Sequence, residues 1–95
     1  MIVRNMTSNK GNKIANQFII TDGTTEYFQS YDSVIAKRLI VFWNNQGKQV
    51  ETYLDKKYWD YSVTTGKYRN IFLNETKKET EKKIKDGIYI LTDLN

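Results

Sequence analysis

The chain has 95 residues, of which 39% are hydrophobic and 14% aromatic, and its formal net charge is +4. It contains no histidine and no cysteine, which removes the side chain that titrates near neutral pH, disulfides, thiolate nucleophiles and the usual zinc sites. Its longest unbroken apolar run, Leu39 to Trp43, is far below the ~20 residues that span a bilayer.

One domain over residues 1–95 is expected, able to bury about 60% of its unfolded surface around a single core. Aromatic and β-branched residues are too frequent for disorder, and the absence of proline argues against a rigid linker. The amino terminus shows no apolar signal core, so a reducing compartment is expected and "NMT" and "NET" are not read as glycosylation sites. Residues 1–74 hold ten basic and six acidic side chains, whereas from Glu75 onward five lysines meet five acids. The cationic surplus therefore lies wholly in the first part.

The opening "MIVRNM" reads as an edge strand and "TSNKGNK" as a connector. "ANQFIIT" is rich in strand formers and leads into "DG", a strong hairpin signal. "TTEYFQSY" returns, with Tyr27, Gln29 and Tyr31 on one face and Phe28 and Ser30 on the other. "SVIAKRLIVFW" reads as the central strand, with Ile35, Lys37, Leu39, Val41 and Trp43 on one face and Val34, Ala36, Arg38, Ile40 and Phe42 on the other. "NNQGK" reads as a turn, and "QVETYL" pairs back.

Past Leu54 the period changes. In "VTTGKYRNIFL", Tyr68, Ile71 and Phe72 fall on one helical face with Thr64 and Thr65, while Lys67, Arg69 and Asn70 point away. Ser62 or Thr64 caps the start. Thr76 to Glu79 is a capping box opening a second helix, supported by Glu79–Lys83 and Glu81–Lys85 pairs. That helix has a thin apolar stripe, Ile84 with threonine methyls. Asp86–Gly87 ends it, and "IYILT" returns as a strand. The expectation is an α+β domain: a mainly antiparallel sheet of about five strands with two helices near the carboxy terminus.

"YWDYSVTTGKYRNIFL" holds the candidate chemistry. A phosphate loop is excluded, because Tyr61 stands where its first glycine belongs and Tyr68 where its hydroxyl residue belongs. A helix start near Thr64–Gly66, beside Lys67 and Arg69, still favours an anion such as a backbone phosphate. Tyr58, Trp59, Tyr61 and Tyr68, flanked by Lys56, Lys57, Lys67 and Arg69, match the rings and cations that hold single-stranded nucleic acid. The competing reading puts the rings in the core at a helix entry. Mid-strand Lys37 and Arg38 lie on opposite faces, one near a carboxylate or sheet edge and the other offered to a partner. Asp22, Asp55 and Asp86 stand at element ends, where aspartate serves the backbone. No catalytic, cofactor or metal residue emerges, and no enzyme is expected.

"YFQSYDSVIA", then "YLDKKYWDYSVTTGKYRNIFL", then "KKIKDGIYIL" resemble a family of small proteins encoded by bacteriophages and other mobile elements, across roughly the last two thirds of the chain. The resemblance implies a protein of the bacterial host's cytoplasm and carries over no catalytic residue. Three roles are then expected. The first is binding of a host nucleoprotein complex or its nucleic acid, including inhibition of host defence of the anti-CRISPR kind. The second is a general nucleic-acid module for replication or transcription. The third is a structural protein that self-assembles, or forms a homodimer, through an edge strand.

Overall fold

The computed structural model describes the backbone of residues 1–44 and 47–95 and the side chains of residues 1–40 and 50–95. The strands are β1 (Ile2–Thr7), β2 (Lys13–Asp22), β3 (Thr25–Ser30), β4 (Ser33–Asn44), β5 (Gly47–Asp55) and β6 (Tyr89–Thr92). Helices α1 (Val63–Leu73) and α2 (Lys77–Lys85) lie between β5 and β6. The fold is α+β as expected, but the described sheet has six strands, not five, in the order β1-β2-β3-β4-β5-β6. Four neighbouring pairs are antiparallel and β5–β6 is parallel. The parallel pair follows from the connection, since two helices are long enough to carry the chain back to the start of a parallel neighbour. The turn read at "NNQGK" and the placement of the Trp43 side chain lie outside the described residues.

Local chemistry accounts for the hairpins. Asp22 pairs with Thr25, leaving a two-residue loop in which Gly23 takes φ +61, a conformation glycine adopts without steric cost. β3 ends at Ser30, so Tyr31 is not on the β3 face expected of it. It stands in the β3–β4 turn with φ +56, and its N–H donates to the Asn16 carbonyl at 2.7 Å. Asn16 is itself left-handed, at φ 64. In β4 the register shifts opposite Phe28 and Gln29, so that Ala36 pairs with Phe28 and Val34 with Gln29. Ile35 is the extra residue, and the strict alternation expected through β4 fails there. Ile35 and Ala36 are consequently both buried.

Both helices lie on one face of the sheet. Phe28 stacks on Phe72 of α1 at 5.9 Å between ring centroids, and Ser30 and Thr65 share a buried hydroxyl hydrogen bond of 3.0 Å. Met6, Ile19, Phe28, Ala36, Leu54, Phe72, Leu73 and Tyr89 fill the core between the layers.

Helix α1 starts at Ser62, whose hydroxyl accepts from the Thr65 N–H, and ends at Asn74 in the left-handed conformation. Its buried residues are Thr65, Gly66, Arg69, Phe72 and Leu73, a spacing that defines one helical stripe. The expected stripe is displaced: Ile71 is 56% exposed and Arg69 only 1%. Helix α2 opens with the expected capping box between Thr76 and Glu79. Glu79 is occupied by that box, and Lys83 reaches Glu75 at 2.8 Å instead. The Glu75 carboxylate, 3% exposed, also accepts from Tyr89 at 2.6 Å and from Thr80. This cluster ties α2 to β6.

Candidate nucleic-acid interface

The turn from β5 into α1 is organised by Asp55. Its Oδ2 accepts from the backbone N–H groups of Lys57 (3.0 Å) and Tyr58 (2.8 Å), and its Oδ1 from Leu94 N–H (2.8 Å) and the Asn95 side-chain amide (3.0 Å). Burial alone would raise the pKa of this carboxyl, but the four donors outweigh it and hold it below the ordinary range. Asp55 thus serves the backbone, as its position at an element end implies. By pinning the turn it leaves Lys56 and Lys57 exposed and directs Tyr58 toward Tyr61, edge to face at 5.6 Å.

Tyr58 and Tyr61 share a groove with the β3–β4 turn. The groove, of about 400 Å³, is lined by Ser30, Tyr31, Asp32, Ser33, Ile35, Tyr58 and Tyr61. Tyr31 is 52% exposed and Tyr61 68% exposed. The Tyr31 carbonyl accepts from the Gln29 side-chain amide at 2.8 Å. A bulky residue at positive φ is uncommon, and backbone strain of this kind concentrates at binding sites. Tyr58 also lines an adjoining hollow with Asp55, Lys56, Lys57, Asp93 and Asn95, and the Lys57 ammonium sits 5.3 Å from the Tyr58 ring centroid. Three tyrosines and two lysines therefore meet at one end of the sheet.

The remaining candidates are placed elsewhere. Arg69, expected to point away from the helix packing face, is buried inside the domain. Its Nη1 donates to the Trp59 carbonyl at 2.7 Å and to Asp60 at 3.3 Å, and its Nη2 to Asn70 at 3.0 Å. The guanidinium also lies 5.1 Å from the Trp59 ring. Trp59, half-buried, packs against the core, so Trp59 and Arg69 form one structural unit and not an outward surface. The reason is the loop path: it brings a carbonyl, a carboxylate and an indole face around the one cation on the buried stripe. Arg38 is likewise engaged, with Glu26 at 3.1 Å and the Phe72 carbonyl at 3.0 Å, its guanidinium 4.2 Å from the Phe72 ring. This is the carboxylate partner expected for one of the two mid-strand cations. Lys37, its neighbour, points to the opposite face of the sheet, between Tyr27 and Tyr53.

Lys67 is exposed over Tyr68 at 5.3 Å. With Ser62, Gly66, Arg69, Asp60 and Lys77 it lines a separate hollow beside the start of α1. The anion site expected there is largely self-neutralised, because Asp60 already receives Lys77 at 2.7 Å and Arg69 at 3.3 Å. Burial would raise the Asp60 pKa, but those two cations outweigh it and lower it. Among the described residues no three metal-ligating side chains converge, and no described helix is long and apolar enough to cross a membrane.

A family model matches residues 1–87 of the chain. The protein belongs to that family, a family of unknown function (DUF8033). No curated protein and no solved structure matches it. The DUF8033 match takes in every residue that lines the tyrosine groove and stops short of β6. Sequence reasoning singled out Tyr58, Tyr61, Lys56 and Lys57 of this site but missed Tyr31, Asp32 and Ser33. Their signal is "SYDS" between two strands, a turn composition that brings the β3–β4 hairpin end beside the β5–α1 turn.

Proposed function

We propose that this DUF8033 protein acts without chemistry, as a binder of single-stranded nucleic acid, bare or held in a host nucleoprotein complex. The observation that carries the reading is the groove that gathers Tyr31, Tyr58 and Tyr61 beside exposed Lys56 and Lys57. Base stacking on aromatic rings is sequence-tolerant and contributes roughly 1–3 kcal/mol per base. The two lysines supply phosphate contacts, and Asp32 and Ser33 offer acceptors and a donor to base edges. The surplus of positive charge in residues 1–74 favours the same ligand. The resemblance to phage-encoded proteins suits a setting in the host cytoplasm, where occupying the nucleic acid of a defence complex is an inhibition of the anti-CRISPR kind.

Photochemical cross-linking to an oligonucleotide carrying iodouridine tests the site. Adducts mapped by mass spectrometry should fall on Tyr31, Tyr58 or Tyr61. Adducts confined to Trp59, Tyr68 or the sheet face opposite the helices would place the ligand elsewhere and refute the groove.

A further inference from the structure

The helices cover one face of the sheet and leave the other open. Across the open face the strand register draws one line of side chains over all six strands: Val3, Ile20, Tyr27, Lys37, Tyr53 and Ile90. Each alternates with a neighbour that faces the helices, as Phe28 and Arg38 do through Phe72. At the two edges Val3 is 57% exposed and Ile90 48%, and the four between them are half-buried. Five inter-strand spacings make this line about 24 Å long. One step along the strands Leu39 pairs with Glu51, extending the patch.

The line carries Lys37 as its one cation, and Glu51 stands in the adjoining row, which runs on through Leu39 and Thr25 to exposed Asp22 at the far end. The Lys37 ammonium lies 5.9 Å from the ring centroids of both Tyr27 and Tyr53. Glu51 accepts the Tyr53 hydroxyl at 2.5 Å. Among the described residues neither Lys37 nor Glu51 enters an ion pair. They sit on adjacent strands, two positions apart along the ladder.

We propose that this face is where two copies of the chain pair, sheet on sheet, about a two-fold axis passing between Lys37 and Glu51. A two-fold contact must be self-complementary, because the same patch serves both subunits. An axis through the midpoint of the two charges exchanges their positions, so Lys37 of each copy meets Glu51 of the partner subunit and both ion pairs form at once. The apolar line then closes at the ~10 Å spacing of packed sheets. A nucleic acid is the poorer occupant, since Glu51 repels phosphate and a single lysine offsets it. This face lies opposite the helices and shares no residue with the tyrosine groove.

Sedimentation equilibrium of the full chain over a wide concentration range tests it, with circular dichroism confirming that each variant is folded. The wild type should show a monomer–dimer equilibrium. Lys37→Glu and Glu51→Lys, each placing like charges in contact, should weaken the dimer at least tenfold, and the double exchange should restore it. A wild type that stays monomeric up to millimolar concentration would overturn the proposal. So would a dimer indifferent to both single changes, which would point to edge-strand pairing, or association that appears only with added oligonucleotide. Oligonucleotide affinity of the two single variants reports separately on the groove, whose reading can fail without affecting this one.

Discussion

Replacing Arg69 by alanine separates a structural role from a binding one. Arg69 lies on the buried stripe of α1, 1% exposed. It holds the Trp59 carbonyl, Asp60 and the Asn70 side chain, and its guanidinium lies near the Trp59 indole. Breaking a buried charged pair by removing one partner costs about 3–5 kcal/mol. The lower end applies here, because Asp60 is 35% exposed and keeps Lys77 as its partner. What is lost is the charge-assisted bond to the Trp59 carbonyl and the filled volume between α1 and the β5–α1 turn. In a domain of this size each kcal/mol moves Tm by roughly 4–8 °C, so a loss of about 3 kcal/mol predicts a fall of roughly 12–24 °C. Thermal unfolding followed by circular dichroism, with urea titration at fixed temperature, reads it. A Tm within a few degrees of wild type, together with weakened oligonucleotide binding, would refute the structural assignment and return Arg69 to the binding surface.

Four further outcomes follow from the same geometry. Gly66→Ala places a Cβ at 3.6 Å from the Arg69 Nη2, an ordinary contact, so the better helix former should stabilise the protein by up to about 1 kcal/mol in urea denaturation. Tyr31→Gly relieves a left-handed backbone that costs about 1–2 kcal/mol, offset in part by about 0.5–1 kcal/mol of added chain entropy; stability should hold or rise slightly while oligonucleotide affinity falls. For Glu75, burial would raise the pKa, but Lys83, Thr80 and Tyr89 outweigh it and place the folded value below the ordinary 4.5. Its contribution to stability is therefore complete above about pH 4.5 and lost as pH falls through the lower folded value, so urea midpoints should drop in acid for the wild type and less steeply for Glu75→Gln. At the alkaline end the partner Tyr89, with its pKa pushed up to about 12 by burial and by Glu75, should titrate late in ultraviolet absorbance and add stability that is lost only as pH rises toward that value.

Much of the architecture was legible because local chemistry and the tertiary fold agree. Ser62 and the Thr76–Glu79 box mark both helix starts, and "DG" marks both the β2–β3 turn and the end of α2. What escaped depends on contacts distant in sequence. The extra residue Ile35 breaks a period-two count without any change in composition. Arg69 reads as solvent-facing by its charge, yet its helical position is central to the buried stripe, and the loop carbonyl that accepts from its Nη1 is ten residues earlier. Tyr31 reads as one more strand residue until the hairpin closes at Ser30–Ser33. Half of the groove was visible from "KKYWDY", and the other half only when the β3–β4 turn is set beside it. The row of side chains on the open face was legible only in pieces, as Tyr27 on one strand and Lys37 with Leu39 on another, since their alignment exists only through strand register.

The reading of this protein as a single-strand binder is tested most directly by fluorescence anisotropy of a short labelled single strand, titrated with wild type and with Tyr61→Ala at several salt concentrations. Affinity should fall with salt by a slope of about −0.7 per phosphate contacted. Tyr61→Ala should cost roughly 1–3 kcal/mol at every salt, and removal of Lys56 and Lys57 together should flatten the slope. Absence of binding at low salt, or binding that neither salt nor the loss of Tyr61 affects, would contradict the account.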